Sequence, residues 1–250
     1  MIRIKAAFFS MTPRVTRDDD ISGYLRWHLL DHMPEQYQLP GIVYATRWIA
    51  DGEYGDHRVA GSGSLERIGG IMNYLVGEPV QLTHYDFMEL GARLSEVGRF
   101  PEHRPPLQLT MPALLRWYAS PRALISAEVV PFRPHRGVTV IVEQPVGANA
   151  DHWLQWLHAE HYPALLDTPG VAGAWMYGST NYWTLHPHCH REPQYITVVY
   201  LDEDPLITTA ALAPTIESRW VSGEVRPLFA GPLRSMIQWE AWLPAADIPG

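Results

Sequence analysis

Tyr24-Leu25-Arg26-Trp27-His28-Leu29-Leu30-Asp31-His32-Met33-Pro34 recurs 129 residues later as Trp153-Leu154-Gln155-Trp156-Leu157-His158-Ala159-Glu160-His161-Tyr162-Pro163. Each stretch is followed in the same register by a Pro-Gly pair, Pro40-Gly41 and Pro169-Gly170. An aromatic, a Leu, a Trp, an acid, a His and a Pro all return without a gap. Self-similarity at a fixed shift is the mark of a duplicated structural unit. The boundary falls near Pro131-Phe132-Arg133-Pro134-His135-Arg136, which gives units of residues 1–133 and 134–250.

Each unit carries the same order of local patterns. In the first, Ile2 to Ser10 is β-prone and Ile21 to about Tyr37 has helical spacing, with Asp18 to Asp20 near its start. Gly41 to Ala50 and Gly70 to Val76 read as strands. Val80 to Val97 is a helix whose apolar face holds Leu82, Phe87, Met88, Leu90 and Leu94. Pro112 to Tyr118 reads as a short helix and Ala123 to Pro131 as the closing strand. The second unit gives strand Gly137 to Val142, helix Ala150 to Leu166, strands Val171 to Tyr177 and Gln194 to Leu201, and helix Pro205 to Trp220. Its last strand is expected within Leu233 to Leu243. The order βαββαβ, twice, predicts two ferredoxin-like units in an α+β fold. Each would cover the open sheet face of the other as an intramolecular α+β barrel pseudo-dimer.

Composition narrows the function. The 250 residues are 46% hydrophobic and 18% charged, an ordinary globular balance. Lys and Arg total 19 against 27 for Asp and Glu, a formal charge of −8. With no basic block, no nucleic-acid partner is expected. No apolar run reaches the roughly 18–20 residues of a membrane span, and the N-terminus lacks a signal-like apolar region. No membrane association is expected, and the expected location is cytoplasmic. A single cysteine, Cys189, allows no internal disulfide and no Cys-rich zinc site. Nucleotide-binding glycine patterns and a nucleophile elbow are absent, so no cofactor is expected. Ten Trp, 12 Tyr and 12 His suit either an aromatic-lined pocket with titratable groups or a core rich in large side chains.

A helix ending in Asp31-His32-Met33-Pro34 or Glu160-His161-Tyr162-Pro163, then Pro-Gly, then a strand, resembles the EthD-like branch of the dimeric α+β barrel superfamily. The resemblance covers both units. It implies a pocket between the sheet and the helices of one unit. Members include cofactor-free polyketide cyclases, muconolactone-type isomerases, quinone-forming monooxygenases and haem enzymes such as chlorite dismutase-like proteins. It does not select one of these chemistries.

Helical spacing puts His28 and His32 on one face of the first helix, and His158 and His161 on one face of the second. They are the candidate catalytic residues, since an imidazole titrates near neutrality. The competing reading is a core histidine that pins the helix end. Asp31 and Glu160 diverge from the adjacent imidazoles by about 100° and read as solvated or ion-paired carboxylates. Tyr44 and Trp48 alternate onto one strand face, as do Trp175 and Tyr177. Together with Asn73 they are the substrate-binding candidates, against the alternative that they fill core or interface. His186, His188 and His190 alternate around Cys189 in a Pro-containing segment, a weak metal candidate better read as a rim loop.

Three functions stay open at this level. The leading one is a cofactor-free acid–base isomerase, cyclase or lyase acting on a small aromatic, lactone or polyketide-like carbonyl compound. A non-catalytic protein that binds an aromatic ligand is the second, and a haem- or metal-dependent oxidoreductase is the third. A homodimer is expected as a further partner state.

Overall fold

The computed structural model describes residues 3–14, 21–100, 106–147, 150–181 and 189–236. In the first half, β1 (Ile4–Pro13) precedes a helical segment in three parts. These are α1 (Ile21–Trp27), a π-helical turn (His28–His32) and α2 (Met33–Gln36). Next come β2 (Ile42–Ile49), a short β3 (Ala60–Gly61), β4 (Ile68–Gly77), α3 (Val80–Glu96), β5 (Gln108–Thr110) and β6 (Pro112–Ala119). The second half runs β7 (Gly137–Pro145), α4 (Asp151–Trp156), another π-helical turn (Leu157–His161) and α5 (Tyr162–Asp167). It closes with β8 (Val171–Asn181), β9 (Tyr195–Leu201), α6 (Pro205–Glu217) and β10 (Val225–Ser235).

The main strands follow the order β2-β4-β1-β6-β8-β9-β7-β10, and β10 pairs back onto β2. Each half therefore contributes the strand order of one ferredoxin-like unit. The two units join edge to edge at β6–β8 and at β10–β2, where Arg234 and Ser235 pair with Ile49 and Trp48. Closure removes the strand edges that an isolated unit would expose. The fold is a dimeric α+β barrel made by one chain.

Alternation sorts the strand residues into two layers. On β7, Val138, Val140 and Val142 point into the barrel with Phe9, Met11, Trp48, Ile71, Leu75, Phe229 and Leu233. Ile141 faces outward, under the second-half helices with Trp153, Leu157, Tyr162 and Leu212. In the first half, Ala6, Phe8, Met72, Tyr74 and Val76 face outward under α1–α3. Both faces of the sheet are covered, so the strands read as nearly continuous apolar runs.

The repeated Pro-Gly has a different cause in each half. Gly170 sits at φ +87°, where a side chain is strained, and Gly41 faces Thr83, whose Oγ1 would lie 1.8 Å from an added Cβ. Thr83 Oγ1 meanwhile donates to the Pro79 carbonyl at 2.7 Å, so its position is fixed.

Three local expectations are corrected. Residues 112–119 form the last strand of the first half, not a short helix. Leu114 and Trp117 pack on the barrel core while Leu115 and Tyr118 pack on the outer layer, an offset set by the register shift between Leu114 and Arg116 in the ladder with β8. Residues 121–132 make two short 3-10 turns instead of a strand, because Pro121 and Pro131 remove donors a ladder would need. The final strand starts at Val225, eight residues before Leu233, and residues beyond 236 lie outside the described set. Among the described residues, no helix is long and apolar enough to cross a membrane.

Candidate functional site

The outward face of the first half does not fill completely. Between β1, β4 and the helices lies a cavity of about 470 Å³, a size that suits a small organic ligand. Phe8, Ser10, Thr12, Met72 and Tyr74 form its sheet side. Tyr24, Trp27, His28, His32 and Gln36 come from the first helical segment, and Phe87, Met88, Gly91, Ala92 and Ser95 from α3. Gly91 leaves open space beside the cavity, since an added Cβ there would meet nothing within 4 Å. Phe100, Pro106 and Leu109 complete the wall. No Asp, Glu, Lys or Arg is among the described lining residues.

His28 and His32 meet here as their spacing predicts, with ring centroids 5.6 Å apart. The π-helical turn places them: the Met33 amide donates to the His28 carbonyl, five residues back. Such widened turns occur often at functional sites. The Gln36 amide donates to His32 Nε2 at 2.8 Å, which puts the proton of the neutral ring on Nδ1. The His32 ring stacks on Trp27 at 4.8 Å and 13°, and meets the edge of Phe100 at 5.0 Å. Trp27 Nε1 donates to the Arg99 carbonyl, and Arg99 pairs with both Asp31 and Glu35. The acid next to His32 thus ties the helix to the segment carrying Phe100, as an ion-pair partner and not as part of the cavity.

In the second half, larger described side chains stand at the positions that line the first-half cavity. Trp48 pairs with Ile71 and Tyr177 with Ile196, while Ser10 pairs with Met72 and Ile141 with Thr197. Carried through these pairs, the repeat puts Ile141 and Glu143 where the first half has Ser10 and Thr12. Leu157 replaces His28, and Tyr162 replaces Met33. Fully buried Arg219 pairs with fully buried Glu143 at 2.8 and 2.6 Å and packs against the rings of Trp153 and Tyr162. Trp220 Nε1 also donates to Glu143, and Tyr162 meets Thr197 at 3.1 Å. Larger side chains and one buried ion pair occupy this layer.

His158 and His161 are accordingly placed apart from the first-half cavity. His158 is half-buried, with Nδ1 at 2.9 Å from the Tyr118 hydroxyl, and burial lowers its pKa. His161 is 2% exposed, and neither ring nitrogen has a hydrogen-bond partner among the described residues. Burial, with Arg219 as a second cause, pushes its pKa down to about 2. It is a neutral core residue. Unfolded, the ring takes a proton below about pH 6.5, so each pH unit lower weakens the fold by up to about 1.4 kcal/mol. His161→Leu should match or exceed the parent in urea denaturation at pH 7, with a margin that widens towards pH 5. A variant that loses stability equally at both pH values would contradict this.

Tyr44, Trp48, Asn73, Trp175 and Tyr177 share a face, but that face is the barrel interior, across the sheet from the cavity. Trp48 donates to His135 at 3.2 Å, Trp175 donates to the Ala127 carbonyl at 2.9 Å, and Tyr177 packs edge-on against Phe9. Asn73 is buried beside Phe9 and Thr46 in the strand ladders. The first-half wall is built instead by Phe8, Trp27, Tyr74, Phe87 and Phe100, none of them among the binding candidates expected from the sequence. His186 and His188 lie outside the described residues. His190 donates its backbone N–H to the Leu109 carbonyl, and the described residues hold no cluster of three or more potential metal ligands.

No known family profile and no curated protein matches the sequence. Solved structures match the fold along nearly its whole length. A chlorite dismutase variant from Candidatus Nitrospira defluvii aligns with TM-score 0.55 and 12% identity, over 96% of this chain and 94% of the other. An anthrone oxidase-like protein aligns with TM-score 0.57 and 12% identity, over 94% and 92%. A protein from Fusobacterium nucleatum assigned as a monooxygenase aligns with TM-score 0.53 and 7% identity, over 95% and 94%. These likenesses establish the dimeric α+β barrel. They also correct the leading expectation from the sequence: the named proteins carry redox or oxygen chemistry, and none is an isomerase, cyclase or lyase. The cofactor-free isomerase, cyclase or lyase reading is therefore set aside.

Haem is the group that a chlorite dismutase-like resemblance brings with it. The residues here do not fit it. In the second half, Glu143, Arg219, Trp153 and Tyr162 fill the space between sheet and helices. In the first half, no charged side chain is among the described lining residues, the one guanidinium behind the Tyr24 ring, that of Arg47, could not balance both of the macrocycle's carboxylates, and Nε2 of His32 is engaged by Gln36.

Proposed function

We propose that the protein oxidises a flat, electron-rich aromatic compound in the first-half cavity, with dioxygen as the oxidant. The observation that carries this is the cavity itself. It is an aromatic-walled space of about 470 Å³ into which a π-helical turn delivers two imidazoles. The oxidative names of proteins with the same fold support the reaction class. We place the chain within the superfamily as a duplicated EthD-like unit, with residues 1–133 and 134–250 as the repeats and the first as the working one.

The residues would act as follows. Phe8, Tyr74 and Phe87, with ring centroids 5.0–5.9 Å apart, offer a flat apolar wall. An imidazole of the His28–His32 pair takes the proton from an activated C–H or O–H of the substrate. The resulting anion is electron-rich and gives up electrons to dioxygen. With an anthrone, the methylene loses two hydrogens and gains one oxygen atom as a carbonyl, and the second oxygen leaves as water. Gln36 holds the His32 tautomer, and Trp27 holds its plane.

Oxygen uptake by the purified protein with anthrones and polycyclic phenols tests the proposal. Uptake that depends on both protein and substrate, with the quinone as product, is the expected result. Saturable binding without uptake would replace the enzyme with a binding protein, and neither binding nor uptake would overturn the cavity's role.

A further inference from the structure

Arg47 is a buried cation with no counter-ion among the described residues. It lies on β2, is 5% exposed, and its Nε and Nη1 are sealed from water without a hydrogen-bond partner among the described residues. Its guanidinium stands 4.9 Å from the centroid of the Tyr24 ring, which lines the first-half cavity. A guanidinium keeps its charge in proteins, and burying a charge without a partner is costly. The Arg219 guanidinium of the second half shows the ordinary solution, a carboxylate in direct contact.

A second orphan lies at the same end of the cavity. Tyr74 also lines it, and its hydroxyl is buried without a partner among the described residues. Burial keeps this phenol protonated, and the positive charge acting on it is that of Arg47. Both unanswered groups are donors. An ionised oxygen that accepts from Tyr74 would therefore also be the negative charge that Arg47 does not find among the described residues.

We propose that Tyr74 and Arg47 form an anion subsite at the β2 end of the first-half cavity, and that the ligand is an aromatic carboxylate. The aromatic body lies against Phe8 and Phe87, and the carboxylate accepts from the Tyr74 hydroxyl within the field of Arg47. This deepens the reading of the cavity as the ligand site and rests on it.

Calorimetric titration with anthracene-2-carboxylate and with anthracene-2-carboxamide separates the two. The carboxylate is expected to bind the parent protein about tenfold or more tightly than the amide, the ordinary range for charge-assisted hydrogen bonds. That preference should vanish in Arg47→Met, persist in part in Arg47→Lys, and shrink in Tyr74→Phe. The amide should bind parent and Arg47→Met alike, a result that a merely structural Arg47 would not give. Equal binding of the two ligands by the parent overturns the subsite and leaves the cavity reading standing. Binding of neither ligand overturns both.

Discussion

Replacing both cavity histidines, as His28→Ala with His32→Ala, should lower substrate-dependent oxygen uptake roughly 10²- to 10⁴-fold, the usual weight of a positioned acid or base. The reason is local. Of the five histidines on the two repeated helical segments, these two line the cavity, their rings 5.6 Å apart. The fold should survive, because their neighbours Trp27 and Phe100 stay anchored through Arg99. The matching change in the second half, His158→Ala with His161→Leu, should leave turnover within about twofold of the parent. His158 meets Tyr118 and His161 is buried against Trp156 and Tyr162, so neither reaches the cavity. Equal losses from both pairs would show that catalysis does not belong to the first half.

The largest effect on stability is expected at the buried ion pair. Arg219→Met strands the Glu143 carboxylate in a layer where both residues are fully buried. Removing one partner of such a pair costs about 3–5 kcal/mol, which for a chain of this size lowers Tm by roughly 10 °C. Glu143→Leu should do comparable damage, because it strands the guanidinium and also takes the acceptor from Trp220. Changing both at once should restore most of the loss, since two apolar side chains need no mutual charge. A double-mutant cycle in urea measures the coupling. Additive losses would show that the pair is not what holds the layer shut.

These two predictions also mark the working difference between the halves. The chain has two ferredoxin-like halves with the same helices and the same π-helical turns. In one, Ser10, Thr12, Gly91 and Ala92 leave room. In the other, Ile141, Glu143, Tyr162 and Arg219 take it. One half holds a ligand-sized space and the other serves as its fused partner, contributing β8 and β10 to the closed barrel.

The repeat in the sequence was enough to read this architecture, because a helix ending in His-x-Pro before a Pro-Gly and a strand is set by local chemistry. Inward placement of His28 and His32 was legible for the same reason. Which way the strands face was not. Tyr44 and Trp48 share a face by alternation, but alternation cannot say whether that face meets helices or the barrel interior. Strand β6 was misread because Ala113-Leu114-Leu115-Arg116-Trp117-Tyr118 has good helix formers, and pairing with β8 overrides them. The π-helical turns left no readable trace. One further signal is readable in the sequence: Glu143 directly follows the mainly apolar run Val138 to Val142. A carboxylate there must be paired if the strand is central, and the pairing would have pointed to a cation such as Arg219.

The most direct test is a crystal structure of the protein with anthracene-2-carboxylate bound. The account predicts the ring system between Phe8, Phe87 and the His28–His32 pair, with its carboxylate at Tyr74. Density inside the barrel against Trp48, Trp175 and Tyr177, or beneath the second-half helices beside Arg219, would contradict it.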